Sequence, residues 1–142
     1  MIVSLNFPKR PETLAPDADE ALSVLRSRAN APKTPAALQK AGVLFAFESA
    51  GLSDAKDFLK NAAKTVQSGL SREDALKALT LNAATIAGAG DRLGSLEVGK
   101  IANVLVTEGD VFDEKMTIKH VFVDGRPVNL DVAPQQSNRR GQ

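Results

Sequence analysis

The apolar residues of the chain follow two rhythms, a strand-and-helix alternation up to Gly88 and a shorter two-residue alternation after it. Ile2, Val3 and Leu5 form a short β-like run that ends at Asn6, Phe7 and Pro8, where proline cannot donate to a sheet ladder; a strand is predicted over residues 2–6. From Pro8 to Asp19 the text is polar and carries three prolines, a loop long for a compact domain, and long loops often carry function. Asp17, Asp19 and Glu20 suit the N-terminus of a helix bearing Leu22, Val24, Leu25 and Ala29. Pro32 ends that helix, Thr34 with Pro35 opens another through Lys40, and Gly42 closes it. Val43-Leu44-Phe45-Ala46-Phe47 is continuously apolar, the pattern of a strand buried on both faces. Glu48-Ser49-Ala50-Gly51 is the loop at its carboxyl end. Ser53 then caps a helix with Asp54 and Asp57 in its first turn and Ala55, Phe58, Leu59, Ala62, Ala63 and Val66 at helical spacing up to Gly69. Ser71 caps the next, which carries Ala75, Leu76 and Leu79 and continues through Ala83, Ala84 and Ile86. Strand, helices, strand, helices implies parallel pairing and an α/β layer architecture.

Beyond Gly88 the stretch Asp91 to Lys100 is rich in turns. Ile101 to Val106 and Thr117 to Val123 read as strands, and Asp124-Gly125 is a hairpin turn before Arg126 to Leu130. The chain therefore divides into an α/β segment over residues 1–90, an antiparallel β segment over 91–130, and a polar tail over 131–142 that is predicted to be mobile.

Composition narrows the function. With 142 residues and 15.0 kDa the chain is one domain or a large fragment of one, and 43% hydrophobic with 25% charged residues is globular composition. A formal charge of +1 supplies no field to draw nucleic acid or an anionic membrane, so neither is expected as a partner. No apolar run approaches the roughly 18 residues that span a bilayer, and the N-terminus lacks the basic and apolar regions of a secretory signal. The absence of cysteine removes disulfides, thiolate metal sites and a cysteine nucleophile together, and a cytoplasmic location is expected. The single histidine weighs most, because a hydrolytic zinc site normally takes two or more imidazoles.

That histidine, His120, shares a strand face with Ile118 and Phe122 and reads as a structural or partly buried imidazole rather than a ligand. Gly88, Gly90 and Gly94 do not form a phosphate loop, since the third glycine falls one place late and the stretch follows a helix. Asp110, Asp113 and Glu114 lack the spacing of a calcium loop and read as a solvated turn. The stronger candidates are Glu48 and Ser49 as catalytic residues and Asn6 as a substrate-binding residue. In α/β folds the loops at the carboxyl ends of parallel strands converge on the ligand. The plainer alternative is that Ser49 caps a turn and Glu48 is solvated, with no partner base beside them.

The stretch ALTLNAATIAGAGDRLGSLEVGKIANVLVTEGDVF, followed by IKHVFVDGRPV, resembles the C-terminal end of the amidohydrolase superfamily, in particular its imidazolonepropionase-like branch. The residues that carry the likeness are Thr80, Asn82, Ala83 and Ala84, then Gly88, Gly94, Ser95, Gly99, Lys100, Ala102 and Asn103, and finally Val121, Val123 and Gly125. The resemblance implies an α/β fold in which this chain is the C-terminal fragment of a TIM barrel. Residues 2–6 and 43–47 would be its last two strands, and residues 91–130 would belong to a small β-sandwich beside it. It also implies zinc or another divalent metal in a complete family member, held by an HxH pair and further histidines that this chain lacks, and an Asp after the last strand. At that Asp position stands Ala50. No cofactor is therefore expected in this chain alone.

Two strands cannot close an eight-stranded barrel, so open edges and apolar faces call for a cover, either a homo-oligomer or a complementing N-terminal barrel segment. The resulting expectation is the C-terminal part of a metal-dependent amidohydrolase that cleaves cyclic or non-peptide C–N bonds and is inactive as this chain alone. The alternatives are a non-catalytic oligomeric structural or interaction domain, and a small-molecule binding module using Asn6, Glu48 and Ser49.

Overall fold

The computed structural model describes residues 1–130, so the predicted tail over 131–142 lies outside the described residues. Strand β1 (Ile2–Ser4) pairs in parallel with β2 (Ala46–Glu48), with Ile2 opposite Ala46, Val3 opposite Phe47 and Ser4 opposite Glu48. The pairing continues past both ends: the N-terminal amine donates to Leu44 O at 2.9 Å, and Leu5 N donates to Glu48 O at 3.1 Å. Successive side chains alternate across a strand. Val3, Leu5, Phe45 and Phe47 accordingly point to one side and join the core beneath the helices, with the Phe45 and Phe47 rings edge to face at 5.7 Å. Ile2 and Leu44, on the other side, are exposed.

Both strands are shorter than the sequence suggests, for local reasons. After β1 the Asn6 N–H turns back to Ser4 Oγ at 3.1 Å and the Phe7 N–H to Leu5 O, which ends the ladder. Before β2 the Val43 N–H is used by Leu38 O at the helix exit, so Val43 and Leu44 stay outside the strand at 38% and 49% exposure. The expected burial of the whole run on both faces is thus corrected: a two-stranded sheet with helices on one face buries only Phe45, Ala46 and Phe47.

Helix α1 (Leu22–Asn30) buries none of its residues, and Pro32 does not separate it from the next helix, because a 3-10 turn over Ala31–Lys33 leads directly into α2 (Thr34–Lys40). Helix α3 (Lys56–Gln67) buries Asn61, Ala62 and Thr65 against the sheet layer. Its first turn is held by Asp54 Oδ1, which accepts from Lys56 N at 2.9 Å, where Ser53 was the expected cap. Helix α4 (Arg72–Leu79) is capped as expected, with Ser71 Oγ accepting from Asp74 N at 3.0 Å. The predicted continuation breaks at Thr80, whose backbone (φ −126°, ψ −89°) leaves the helical region while its hydroxyl donates to Leu76 O at 2.7 Å. Helix α5 (Leu81–Ile86) starts anew.

The remaining strands form an antiparallel sheet in the order β3 (Val104–Glu108), β4 (Thr117–Val123), β5 (Arg126–Pro127), with a bulge between Val106 and Thr107. Asp124 and Gly125 both take positive φ, 53° and 73°, which matches the twist of a two-residue hairpin and confirms the turn read from the sequence. The first strand of this sheet begins three residues later than expected, because Ile101 N is engaged by Arg92 O. The two sheets share a core: Phe112, on the β3–β4 connection, is 7% exposed and lies in the cluster with Leu5, Phe45 and Phe47. Above it Arg72 pairs with Asp110 Oδ2 at 2.5 Å and with Asp113 Oδ1 at 3.2 Å. Asp110, Asp113 and Glu114 stand on an exposed turn, as their spacing suggested, and the first two are in addition paired with Arg72.

Candidate functional site

The carboxyl ends of β1 and β2 lie side by side, and the loops that leave them touch. Ser4, opposite Glu48 in the register, donates from Oγ to Ala50 O at 3.5 Å and accepts from Asn6 N. Gly51 has φ +79°, and a Cβ built on it would fall 2.6 Å from Asn6 Nδ2, so the second loop passes directly against the Asn6 side chain. The structure thus brings together Asn6, Glu48 and Ser49. Asn6 and Ser49 are exposed, and Glu48 is half-buried. By strand alternation Glu48 stands on the same side as Ser4, the side away from the helices. Among the described residues no cation or hydrogen-bond donor pairs with its carboxylate.

Two asparagines tie the helices to the strand pair, one at this end and one at the amino end of β2. Asn61, buried at 3% exposure, donates from Nδ2 to Leu5 O at 3.0 Å, and its Oδ1 accepts from Lys64 Nζ at 2.9 Å. Asn82 donates to Phe45 O at 3.0 Å. Neither role was read from the sequence. The signal for Asn61 is a polar residue inside the apolar stripe of α3, beside Ala62 and one turn from Phe58 and Thr65.

A metal does not fit the residues of this end. Ala50 offers a methyl group and a carbonyl already engaged by Ser4, and Glu48 is the one carboxylate of the 48–51 loop. Among the described residues no group of three His, Cys, Asp or Glu side chains could hold an ion. His120 belongs to β4 in the other sheet, opposite Val106, with its ring 6.3 Å from Phe122. It is exposed, so of the two placements expected for it the partly buried one is corrected; among the described residues no layer covers the strand there.

The other features singled out in the sequence serve packing. Gly94 (φ +93°) lies so close to α5 that a Cβ would meet Ala84 Cβ at 2.7 Å. Lys100 Nζ donates to Gly90 O at 2.7 Å and Ser95 Oγ at 2.6 Å, closing the glycine-rich turn on itself. In the long loop after β1, Arg10 Nη2 donates to Ala15 O, Pro16 O and Ala18 O, beside an open depression of about 400 Å³ lined by Arg10, Pro11, Glu12, Leu14 and Pro16. A second depression of about 330 Å³ is bordered by Leu96 and Val98, both almost fully exposed. Among the described residues no helix is long and apolar enough to cross a membrane.

Comparison with known proteins agrees with this arrangement. Residues 6–128 match the model of the Amidohydrolase family. An imidazolonepropionase from Syntrophobacter fumaroxidans is 56% identical over 41 residues, which are 29% of this chain and 10% of that protein. Among solved structures, an amidohydrolase from Thermotoga maritima MSB8 superposes with a TM-score of 0.64 at 39% identity, covering 69% of this chain and 26% of that one. A prolidase complexed with N-methylphosphonate-L-proline superposes with a TM-score of 0.62 at 26% identity, covering 74% of this chain and 28% of that one. The chain thus spans a tenth of the curated relative and about a quarter of each of these structures. With the family match extending over most of its length, and with the parallel pair, the helices behind it and the following antiparallel sheet all in place, the chain belongs to the amidohydrolase family.

Proposed function

We propose that this chain is the C-terminal portion of a metal-dependent amidohydrolase, that β1 and β2 are the last two strands of its TIM barrel, and that residues 91–130 belong to its β-sandwich. The observation that carries this reading is the β1–β2 pair itself. It is parallel, covered by helices on one face, open at both edges, and carries Asn6, Glu48 and Ser49 at its carboxyl end. In closed parallel barrels that end holds the active site.

In the complete protein the reaction is hydrolysis of a C–N bond in a cyclic amide or peptide-like substrate. The names of the relatives, imidazolonepropionase and prolidase, support both classes. The metal that such chemistry employs would be held by residues outside this chain, since the described residues offer no group of three side chains that fits one. Asn6 and Ser49 orient the substrate through hydrogen bonds, and Glu48 is the carboxylate of this chain placed to accept a proton. The chain by itself is inactive, and its open edges are covered by a complementing N-terminal barrel segment or by a second copy.

The test uses the Thermotoga amidohydrolase truncated of the quarter that matches this chain. The truncated protein and this chain are assayed apart and mixed, with zinc, on a prolyl dipeptide and on an imidazolone-type cyclic amide. Turnover that appears only in the mixture supports the reading; a mixture that neither associates nor hydrolyses overturns it. A second reading, a non-catalytic binding or interaction domain, is favoured by Ala50, which can neither bind a metal nor move a proton. It predicts a stable association in the same mixture with no turnover.

A further inference from the structure

We propose that the carboxyl end of the β1–β2 pair is a metal-free subsite for a protonated amine or other cationic N–H donor, with Glu48 as its anion. The inference rests on the reading of this end as the ligand-facing end of the sheet, and adds the chemistry it selects. Three observations carry it. First, Glu48 is half-buried yet has no cation or donor partner among the described residues. The other half-buried acidic groups among the described residues all have partners: Glu20 with Arg28 at 2.8 Å, Asp57 with Lys9 at 3.8 Å, and Asp74 with the Ser71 hydroxyl at 2.5 Å. A carboxylate withdrawn from water without a partner is costly, and a cation that arrives with N–H donors recovers that cost.

Second, Glu48 has no ion-pair partner among the described residues, and its named neighbours on the paired strand and the facing loop are neutral. Ser4 is opposite it on β1, and its hydroxyl is committed to Ala50 O. Asn6 extends beside Gly51, with a carboxamide that can accept a further N–H through its oxygen. One carboxylate with neutral hydroxyl and amide neighbours suits an ammonium group. A divalent ion needs more anionic ligands than this end provides. Third, the backbone of β1 here is held from behind by Asn61 through the Leu5 carbonyl, so the Asn6 loop starts from a fixed position before any ligand arrives.

The experiment is carbon-13 NMR of the full chain labelled at glutamate carboxyls, titrated with n-butylammonium chloride at constant ionic strength and, separately, with zinc chloride. Butylammonium is expected to move the Glu48 Cδ resonance saturably with a Kd of about 1–10 mM, as suits so small a ligand. The exposed Glu12 and Glu114 should drift without saturating. The amide signals of Ser4 and Asn6 should move in the wild type and stay still in Glu48→Gln, whose melting temperature confirms that it folds. Zinc should leave no stoichiometric metal on the chain after desalting. A Glu48 resonance that behaves like Glu12, amide shifts that persist in Glu48→Gln, or one zinc retained per chain would each overturn the proposal. Failure of the mixed-segment assay leaves these readouts unaffected, so the two claims fail separately.

Discussion

The side-chain amide of Asn61 reaches from α3 to the carbonyl of Leu5, 3.0 Å away, and so ties the helix layer to the point where β1 gives way to the Asn6 loop. Leu5 is fully buried, and its carbonyl has left the strand ladder, so this bond and the one from the Phe7 N–H together satisfy an acceptor that water cannot reach. Replacing Asn61 with Leu keeps the volume but leaves the Leu5 carbonyl with the Phe7 N–H alone and removes the Lys64 ammonium contact. A loss of about 0.5–1.5 kcal/mol is expected in urea unfolding, with amide shifts concentrated at Asn6 and residues 48–51. Unchanged stability together with an unchanged loop would contradict the role given to Asn61.

Phe112 makes the two sheets one folding unit. It is carried by the β3–β4 connection but sits among Leu5, Phe45 and Phe47. Phe112→Ala should cost about 3–5 kcal/mol. Helical circular dichroism and amide signals from β3 and β4 should still be lost in a single transition. Two transitions in the wild type would show that residues 1–90 and 91–130 unfold independently.

The ion pairs over Phe112 give the fold an acid limit. The Phe112 N–H, first, and the Arg72 guanidinium, after it, hold the Asp110 carboxyl below its ordinary range. Because the folded state favours ionised Asp110 more than the unfolded chain does, its stabilising contribution is complete above the ordinary carboxylate range. It declines as the pH falls through the lowered folded value. The difference in Tm between wild type and Arg72→Ala should therefore be largest near neutrality and shrink in acid. A difference that grows on acidification would contradict the sign. Both partners are largely exposed, and the effect should weaken in salt.

Gly94 and Gly99 form a matched pair. Both take positive φ, 93° and 92°, but a Cβ at Gly94 meets Ala84 and Leu81, whereas one at Gly99 meets open space. Gly99→Ala should cost about 1–2 kcal/mol of backbone strain. Gly94→Ala should cost about 1–3 kcal/mol more, because the turn must move away from α5. Equal losses on thermal unfolding would show that the turn does not pack on α5 as described.

Much of this architecture is written in short-range patterns. The cap at Ser71 and the Asp124-Gly125 turn are each decided by neighbours a few residues away, and both stand as read. The juxtaposition of Asn6, Glu48 and Ser49 was legible because parallel strands place their exits at one end whatever the helices do. The features that escaped the sequence depend on distant partners. Phe112 in an acidic turn gives no local sign that it enters a core built by residues 5–78. Asn61 reads as a flaw in an apolar stripe until the Leu5 carbonyl is placed beneath it. The exposure of Val43 and Leu44 follows from a missing second layer, which periodicity within the chain cannot register.

The most direct test of the central claim is the mass and metal content of the purified chain, alone and mixed with the truncated Thermotoga relative, by light scattering with elemental analysis. A barrel portion with open strand edges should self-associate when alone, carry no stoichiometric metal, and form a one-to-one complex when the complementing segment is supplied. A monodisperse monomer that holds one metal per chain and ignores the segment would contradict the account.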